Sequence, residues 1–143
     1  MSTECPGKMV IDTSAVVAIL FLEPEAQSFA SAIRADQIRL MSAASALETA
    51  MVVEARHGPS GGREFDLFLH RAGIDIVPFS ADQFELARRA WRVYGKGNHP
   101  AALNLGDCFA YALAKNTGEP LLFKGEDFLR TDVVRAGDAH QGP

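Results

Sequence analysis

The sequence contains little cysteine and no excess of positive charge. Its two cysteines, Cys5 and Cys108, lie at opposite ends of the chain and have no His or Cys partner at a metal-ligand spacing. A disulfide framework is therefore not expected, a structural zinc site is disfavoured, and a reducing cytoplasm is the expected compartment. Eighteen acidic against fourteen basic residues argue against binding duplex DNA through overall charge, although a local basic patch remains compatible with this balance.

Long apolar runs are also scarce. The stretch "SAVVAILFL" after Lys8 resembles the apolar region of a signal peptide. However, Asp12 stands at its entrance, the acidic "EPE" of residues 23–25 follows it, and the run is too short to span a bilayer. We therefore expect neither a signal peptide nor a membrane partner.

Short apolar segments alternate with amphipathic ones along most of the chain. This alternation predicts a three-layer α/β/α sandwich around a short, mainly parallel sheet. One domain is expected over residues 9–136, with a flexible leader at 1–8 and a disordered tail at 137–143. Strands are predicted at 8–11, 38–41, 74–78, 120–125 and, as a short final strand, 131–136. Helices are predicted at 13–21, 23–35, 42–57, 61–72, 80–94 and 107–117.

Four carboxylates follow strands or begin helices: Asp12, Glu48, Asp107 and Asp127. The carboxyl ends of parallel strands share one edge of a sheet, so these side chains are expected to converge there. Each also has a local explanation. Asp12 suits a helix N-cap, Ser45 and Glu48 have the spacing of a capping box, Asp107 suits a helix N-terminus, and Asp127 suits a turn.

Convergence of these acids favours a metal site. Carboxylates gathered in one cleft repel one another unless they are protonated or neutralised by a cation. Oxygen ligands without His or Cys are typical of Mg²⁺ or Mn²⁺, which can activate water and stabilise charge on a phosphoryl group. The four scattered histidines offer no obvious Ser-His-Asp arrangement, and no glycine-rich phosphate-binding motif is present. Metal-assisted hydrolysis is the chemistry that remains.

Four stretches carry a resemblance to a known family: "VIDTSAVVAIL", "SALETAMVV", "GKGNHPAALNLGDCFAYALAK" and "LLFKGEDFLRTDV". In this order, from about Met9 to Arg135, they resemble the PIN-domain family and, within it, the VapC-type ribonuclease toxins of bacterial toxin–antitoxin pairs. The resemblance implies a Mg²⁺- or Mn²⁺-dependent endoribonuclease that hydrolyses RNA phosphodiester bonds with metal-activated water. It also implies inhibition by a small cognate antitoxin, and usually a homodimer.

The resemblance also implies roles for individual residues. Asp12, Glu48 and Asp107 match the core metal-binding and catalytic acids, and Asp127 matches the fourth. The auxiliary positions include Asp132, which can equally cap or end the turn, and Thr13 or Ser14, whose hydroxyl would position a ligand or water. Asn104 is expected to be a structural residue that ties the loop to the site. Lys124 stands just before the acid-bearing turn.

Basic and apolar residues offer candidate surfaces for partners. Arg88, Arg89 and Arg92 share a helix and Lys96 follows it, so they either form a solvated face or contact RNA. Lys124 is preferred for RNA contact because of its position. The early helices carry more large apolar residues than one face needs, and the excess suits a dimer seam or an antitoxin groove: Leu20, Phe21, Leu22, Phe29 and 51–53.

Two other classes of function fit parts of the sequence. A receiver-type phosphoacceptor module also combines an α/β sandwich with an acidic metal pocket and a late lysine. It expects two acids at the end of the first strand, whereas Asp12 is followed by Thr13 and Ser14. A binding-only protein would use the apolar helices alone, and the complete set of acids disfavours it.

Overall fold

A sheet of four parallel strands lies at the centre of the protein, whose computed structural model describes residues 7–137. The strands are β1 (Lys8–Ile11), β2 (Ile38–Ser42), β3 (Ile74–Val77) and β4 (Leu121–Leu122), in the order β3-β2-β1-β4. The sheet therefore confirms the predicted mainly parallel arrangement. Lys8 belongs to β1 rather than to a leader, and residues 1–6 and 138–143 of the predicted leader and tail lie outside the described residues.

Six helices connect or flank these strands. They are α1 (Thr13–Leu20), α2 (Ala26–Ala35), α3 (Ala43–His57), α4 (Pro59–Ala72), α5 (Ala81–Tyr94) and α6 (Leu105–Thr117), and a short 3₁₀ helix covers Asp127–Arg130. Ser80 caps α5, because its hydroxyl accepts a hydrogen bond from the Gln83 amide. Within residues 7–137, no helix combines the length and the apolar character needed to cross a membrane.

The alternation of side chains along β1 separates two core clusters. Val10 packs into the cluster formed with α5 and α6, whereas Met9 and Ile11 pack into the cluster formed with α1, α2 and α4. Successive strand residues point to opposite faces, so helices cover both faces of the sheet. The predicted α/β/α sandwich is confirmed, and Cys108 is a buried residue inside the α5–α6 cluster.

The predicted final strand at 131–136 is wrong. Only one isolated bridge forms there, between Arg135 and Leu121, through hydrogen bonds from Leu121 N to Val134 O and from Ala136 N to Leu121 O. The reason is the length of β4, which has two residues and offers little backbone for further pairing. The chain before this bridge is therefore free to approach α6.

The predicted capping box of Ser45 and Glu48 is also wrong. Helix α3 begins at Ala43, and its cap is Ser42, whose hydroxyl accepts a hydrogen bond from Ala44 N. Ser45 and Glu48 therefore lie inside the helix, and the Glu48 amide is beyond the first four amides that lack an intrahelical partner, so it is not available to a cap at Ser45. Glu48 thus does not cap α3, and its position needs another explanation.

Candidate active site

Asp12 stands where β1 ends and α1 begins. Its Oδ2 accepts hydrogen bonds from the Ser14 amide at 3.0 Å and from the Ser14 hydroxyl at 2.6 Å, which confirms its predicted role as a helix cap. The residue is only 4% exposed. Burial raises the pKa of this carboxyl to about 6, although the hydrogen bonds from Ser14 oppose the shift, and the charge of Glu48 raises it further.

The two hydroxyls beside Asp12 have different partners. Ser14 Oγ contacts Asp12 and also accepts a hydrogen bond from the Lys124 amide at 2.9 Å, so it joins the start of α1 to the turn after β4. Thr13 instead donates to the Ser45 carbonyl at 3.1 Å and holds α1 against α3. Ser14 is therefore the hydroxyl that fixes Asp12, and a role in positioning a ligand or water stays a prediction.

Asn104 and Asp107 together cap the first turn of α6. The Asn104 side chain accepts a hydrogen bond from Asp107 N at 2.9 Å, and Asp107 Oδ2 accepts one from Asn104 N at 3.0 Å, which is a complete capping box. Asn104 thus fixes the start of α6 beside Asp107, and its role in tying the loop to a functional site stays a prediction. Burial raises the pKa of Asp107 to about 7, and the charges of Asp12 and Asp127 contribute in the same direction.

Asp127 lies near Asp107, although it follows β4 in the C-terminal part of the chain. It is the first residue of the 3₁₀ helix after β4, and it is exposed. Its carboxylate lies close enough to that of Asp107 to contribute to the raised pKa of Asp107. Because like charges repel, the neutral form of Asp107 is favoured beside Asp127.

Glu48 approaches the first turn of α6 from α3. Its carboxylate lies against Gly106, where an added Cβ would stand 2.0 Å from Oε2 and 2.6 Å from Cδ. Gly106 is not among the residues predicted from the sequence, because the pattern predicts a helix that starts near Asp107 whereas α6 begins at Leu105. The available signal was a glycine, a poor helix former, directly before the predicted acid.

Asp132 does not join these acids. Its Oδ1 accepts a hydrogen bond from the Tyr111 hydroxyl at 2.6 Å, and its Oδ2 lies 2.9 Å from Lys115 Nζ. Partial burial favours a higher pKa for this carboxyl, but the hydrogen bonds from Tyr111 and Lys115 outweigh it and lower the pKa. The structure therefore places Asp132 in an ion pair on the side of α6, which corrects the expectation of an auxiliary acid at the site.

Lys124 is anchored at both its backbone and its side chain. Its Nζ lies 2.8 Å from a Glu23 carboxylate oxygen and 3.3 Å from one of Glu25, both between α1 and α2. The hydrogen bond to Glu23 is the main cause of a raised pKa for this ammonium. Contact of Lys124 with RNA stays a prediction, and it would require the ammonium to exchange these acidic partners.

The basic residues of α5 and of the loop that follows it lie on two different surfaces. Arg88 and Lys96 line a groove of about 490 Å³ whose other lining residues are mainly apolar, including Trp91, and which reaches Asn104. Arg89 instead lines a separate cleft with Lys115. These residues therefore do not form one basic stripe, and only the first surface adjoins the start of α6.

The early apolar residues divide between core and surface. Phe29 and Val53 are buried, whereas Leu22 is 85% exposed and Met51 is 63% exposed. Phe21 is half-buried, and the guanidinium of Arg56 lies 4.2 Å from the centre of its ring. Only part of the predicted excess is therefore available to a partner.

The four acids fit a hard divalent cation in their chemistry. All four donors are carboxylates, two of them have pKa values raised by burial and by neighbouring acids, and a third is seated in a notch that a Cβ would fill. Among residues 7–137, however, no group of three or more His, Cys, Asp or Glu side chains is arranged to hold a metal ion directly. Coordination of a metal ion by these four acids is therefore a proposal.

Comparison with known proteins gives consistent matches. The family model for the PIN domain matches residues 9–134. Ribonuclease VapC30 of Mycobacterium tuberculosis is 64% identical over 126 residues, which cover 88% of this chain and 96% of that protein. The crystal structure of M. tuberculosis VapC20, described as a sarcin-ricin loop cleaving toxin, has a TM-score of 0.72 at 16% identity and covers 88% of this chain and 96% of that one. VapBC2 from Rickettsia felis, bound to a DNA fragment from its promoter, has a TM-score of 0.70 at 15% identity and covers 90% and 96%.

Proposed function

Because the chain belongs to the PIN-domain family and, within it, to the VapC-type ribonucleases, we propose that it is the metal-dependent endoribonuclease toxin of a toxin–antitoxin pair. The observation that carries the proposal is the approach of Asp12, Glu48, Asp107 and Asp127 to one another at the carboxyl edge of the sheet. Four segments of sequence supply these acids, and local capping accounts for only two of them.

The carboxylates would hold Mg²⁺ or Mn²⁺ together. Such a cation supplies Lewis acidity at a phosphate oxygen and lowers the pKa of bound water towards neutrality. Ser14 holds Asp12 in one orientation, and Asn104 does the same for Asp107. Asp107, whose pKa is raised to about 7, would have to lose its proton when the cation binds, so we expect metal affinity to increase with pH.

Asp127 is the best placed of the four acids to orient the attacking water. It is the exposed member of the set, so its carboxylate is accessible to solvent, and it lies near enough to Asp107 to raise the pKa of that acid. Arg88 and Lys96, in the groove that reaches Asn104, would attract the phosphates of an RNA strand as it approaches α6. With an overall charge of −4, this attraction has to be local.

A small antitoxin protein is the proposed inhibitor. Support comes from structural neighbours that are toxin–antitoxin complexes, including VapBC2 from R. felis and a complex from Klebsiella pneumoniae. We also propose a homodimer, which sedimentation velocity of the purified chain would test. The receiver-type alternative is not favoured, because the relatives and neighbours are VapC proteins and Asp12 has no adjacent acid.

The decisive experiment incubates the purified protein with cellular RNA and Mg²⁺ or Mn²⁺, beside the variants Asp12→Asn and Asp107→Asn. We expect cleavage at specific sites by the wild type, and loss of cleavage in both variants and in chelator. Asp132→Asn is the matched control, because this acid lies in the Tyr111–Lys115 ion pair and should leave cleavage intact. Equal cleavage by all four proteins would contradict the proposal.

A further inference from the structure

Gly106 occupies an unusual place in the first turn of α6. It is buried, it lies directly before Asp107, and the carboxylate of Glu48 fills the space where its side chain would be. An added Cβ would meet Oε2 at 2.0 Å and both Cδ and Oε1 at 2.6 Å, whereas real Cβ atoms essentially never have contacts under 3.0 Å. Any other residue at this position must therefore displace the Glu48 carboxylate.

Backbone conformation does not explain this glycine. Gly106 is helical and does not have a positive φ, unlike Gly58, Gly73 and Gly118 at the helix ends. Within a helix, glycine is the least favourable residue apart from proline, so α6 alone would favour alanine here. The close approach of Glu48 is the feature of the structure that accounts for the glycine.

We propose that Gly106 is a positioning residue: its missing side chain forms a notch that seats the Glu48 carboxylate beside Asp107. This inference rests on the proposed function, because it assigns Glu48 to the same set of acids. The notch also lies at the N-terminus of α6, where the positive end of the helix dipole favours a carboxylate. Glu48 is thus held by the shape and the field of α6, although it comes from α3.

The nature of the contact predicts an unusual phenotype. The atoms that an alanine side chain would meet belong to the end of a flexible Glu side chain and not to the backbone. Gly106→Ala should therefore move the Glu48 carboxylate and leave α6 in place. We expect a melting temperature equal to or above that of the wild type, together with weaker metal binding.

The first test measures Mn²⁺ binding to the full chain by calorimetry. Gly106→Ala should weaken the affinity about 10- to 100-fold, the range observed when residues that orient metal ligands are changed. Gly62→Ala is the matched control, because Gly62 is also helical and its added Cβ would lie 3.0 Å from the Glu54 carboxylate, on α4 and α3 away from the acids. Unchanged Mn²⁺ affinity in Gly106→Ala would overturn the proposal.

The second test asks whether Gly106 acts through Glu48. In a Glu48→Gln background, Gly106→Ala should cause little further loss of Mn²⁺ affinity, because the carboxylate is already missing. In a Glu48→Asp background the shorter side chain leaves room for the added methyl group, so the double variant should bind Mn²⁺ as well as Glu48→Asp alone. Equal losses in every background would instead indicate a role independent of Glu48.

A third measurement separates this inference from the proposed function. In metal-free protein, Gly106→Ala should raise the melting temperature more in a Glu48→Ala background than in the wild type, since alanine then gains helix propensity without a collision. This comparison uses neither RNA nor metal, so it stands even if the chain cleaves no RNA. Equal changes in the two backgrounds would refute the notch, whatever the RNA assay shows.

Discussion

Two regions of α6 place acids in opposite electrostatic surroundings. At its first turn, Asp107 contacts Asp127 and lies near Asp12, and its pKa is raised to about 7. Further along the same helix, Tyr111 and Lys115 hold Asp132 and lower its pKa. The second arrangement stabilises the fold, whereas the first opposes it unless a proton or a cation is bound. Acids that folding alone does not favour are the stronger candidates for function.

The largest expected difference between the two regions is in catalysis. Asp107→Asn should reduce the rate of RNA cleavage by on the order of 1,000-fold, since loss of a metal-stabilised transition state amounts to several kcal/mol. Asp132→Asn should change the rate by no more than about threefold, because this acid lies in a separate ion pair. Initial cleavage rates on one defined RNA would measure both. Similar losses in the two variants would remove the functional distinction between the regions.

The next effect concerns stability and pH in metal-free protein. Asp12 has a pKa of about 6 when folded and 3.8 as its ordinary value, so the folded state binds more protons between these values. The stabilisation is complete below pH 3.8 and is lost as pH rises through about 6, and Asp107 extends the loss to about pH 7. For Asp12 alone it amounts to at most about 3 kcal/mol. Urea denaturation in chelator should therefore show lower stability at pH 8 than at pH 5.

One variant and one other acid serve as comparisons for this pH dependence. Asp12→Asn should flatten it, because an amide does not titrate, and the difference from wild type cancels the contribution of the histidines. Asp132 has a lowered pKa, so its contribution has the opposite sign: it is present above its ordinary pKa and is lost on acidification. An equal change in stability from pH 5 to pH 8 in the wild type and in Asp12→Asn would contradict the assignment.

The contrast between the two regions also marks how far the sequence predicts the site. Asp12 was predictable because it directly follows an apolar strand. Asp107 was predictable because it lies near the start of a helix that follows a loop rich in turn-forming residues. The auxiliary role of Asp132 was implied by the family resemblance, whereas the structure pairs this acid with Tyr111 and Lys115 on α6. The predicted strand at 131–136 was based on local composition, whereas pairing there ends after one bridge. Whether a strand forms at 131–136 depends on tertiary pairing, which the local sequence pattern does not determine.

Glu48 and Gly106 show a second limit. Ser42 and Ser45 are both plausible caps three residues apart, and only the end of β2 decides that Ser42 is used. The Glu48–Gly106 contact joins segments far apart in sequence, and its evidence is the absence of a side chain. Sequence patterns predict which residue types a site needs, but a fit between two helices depends on how they pack.

A smaller effect tests how Asp12 is held. Ser14→Ala removes the hydroxyl that donates to Asp12 and accepts from the Lys124 amide, which should cost about 1 kcal/mol of unfolding free energy. It should also raise the pKa of Asp12, because hydrogen bonds from Ser14 lower it, and so weaken Mn²⁺ binding. Tyr111→Phe removes the hydroxyl that binds Asp132 and should cost similar stability without changing Mn²⁺ affinity. A weakened affinity in both variants would show that stability alone controls metal binding.

The smallest effect concerns the ion pair of Asp132 itself. Lys115 and Asp132 are 36% and 49% exposed at their side chains, so water and salt screen their attraction. Lys115→Met should therefore lower the unfolding free energy by less than about 1 kcal/mol, and raised salt should reduce the difference from wild type. Denaturation at low and high ionic strength measures this. A larger loss that salt does not change would mean that Lys115 acts through packing against α5, and that the two regions of α6 differ in more than charge.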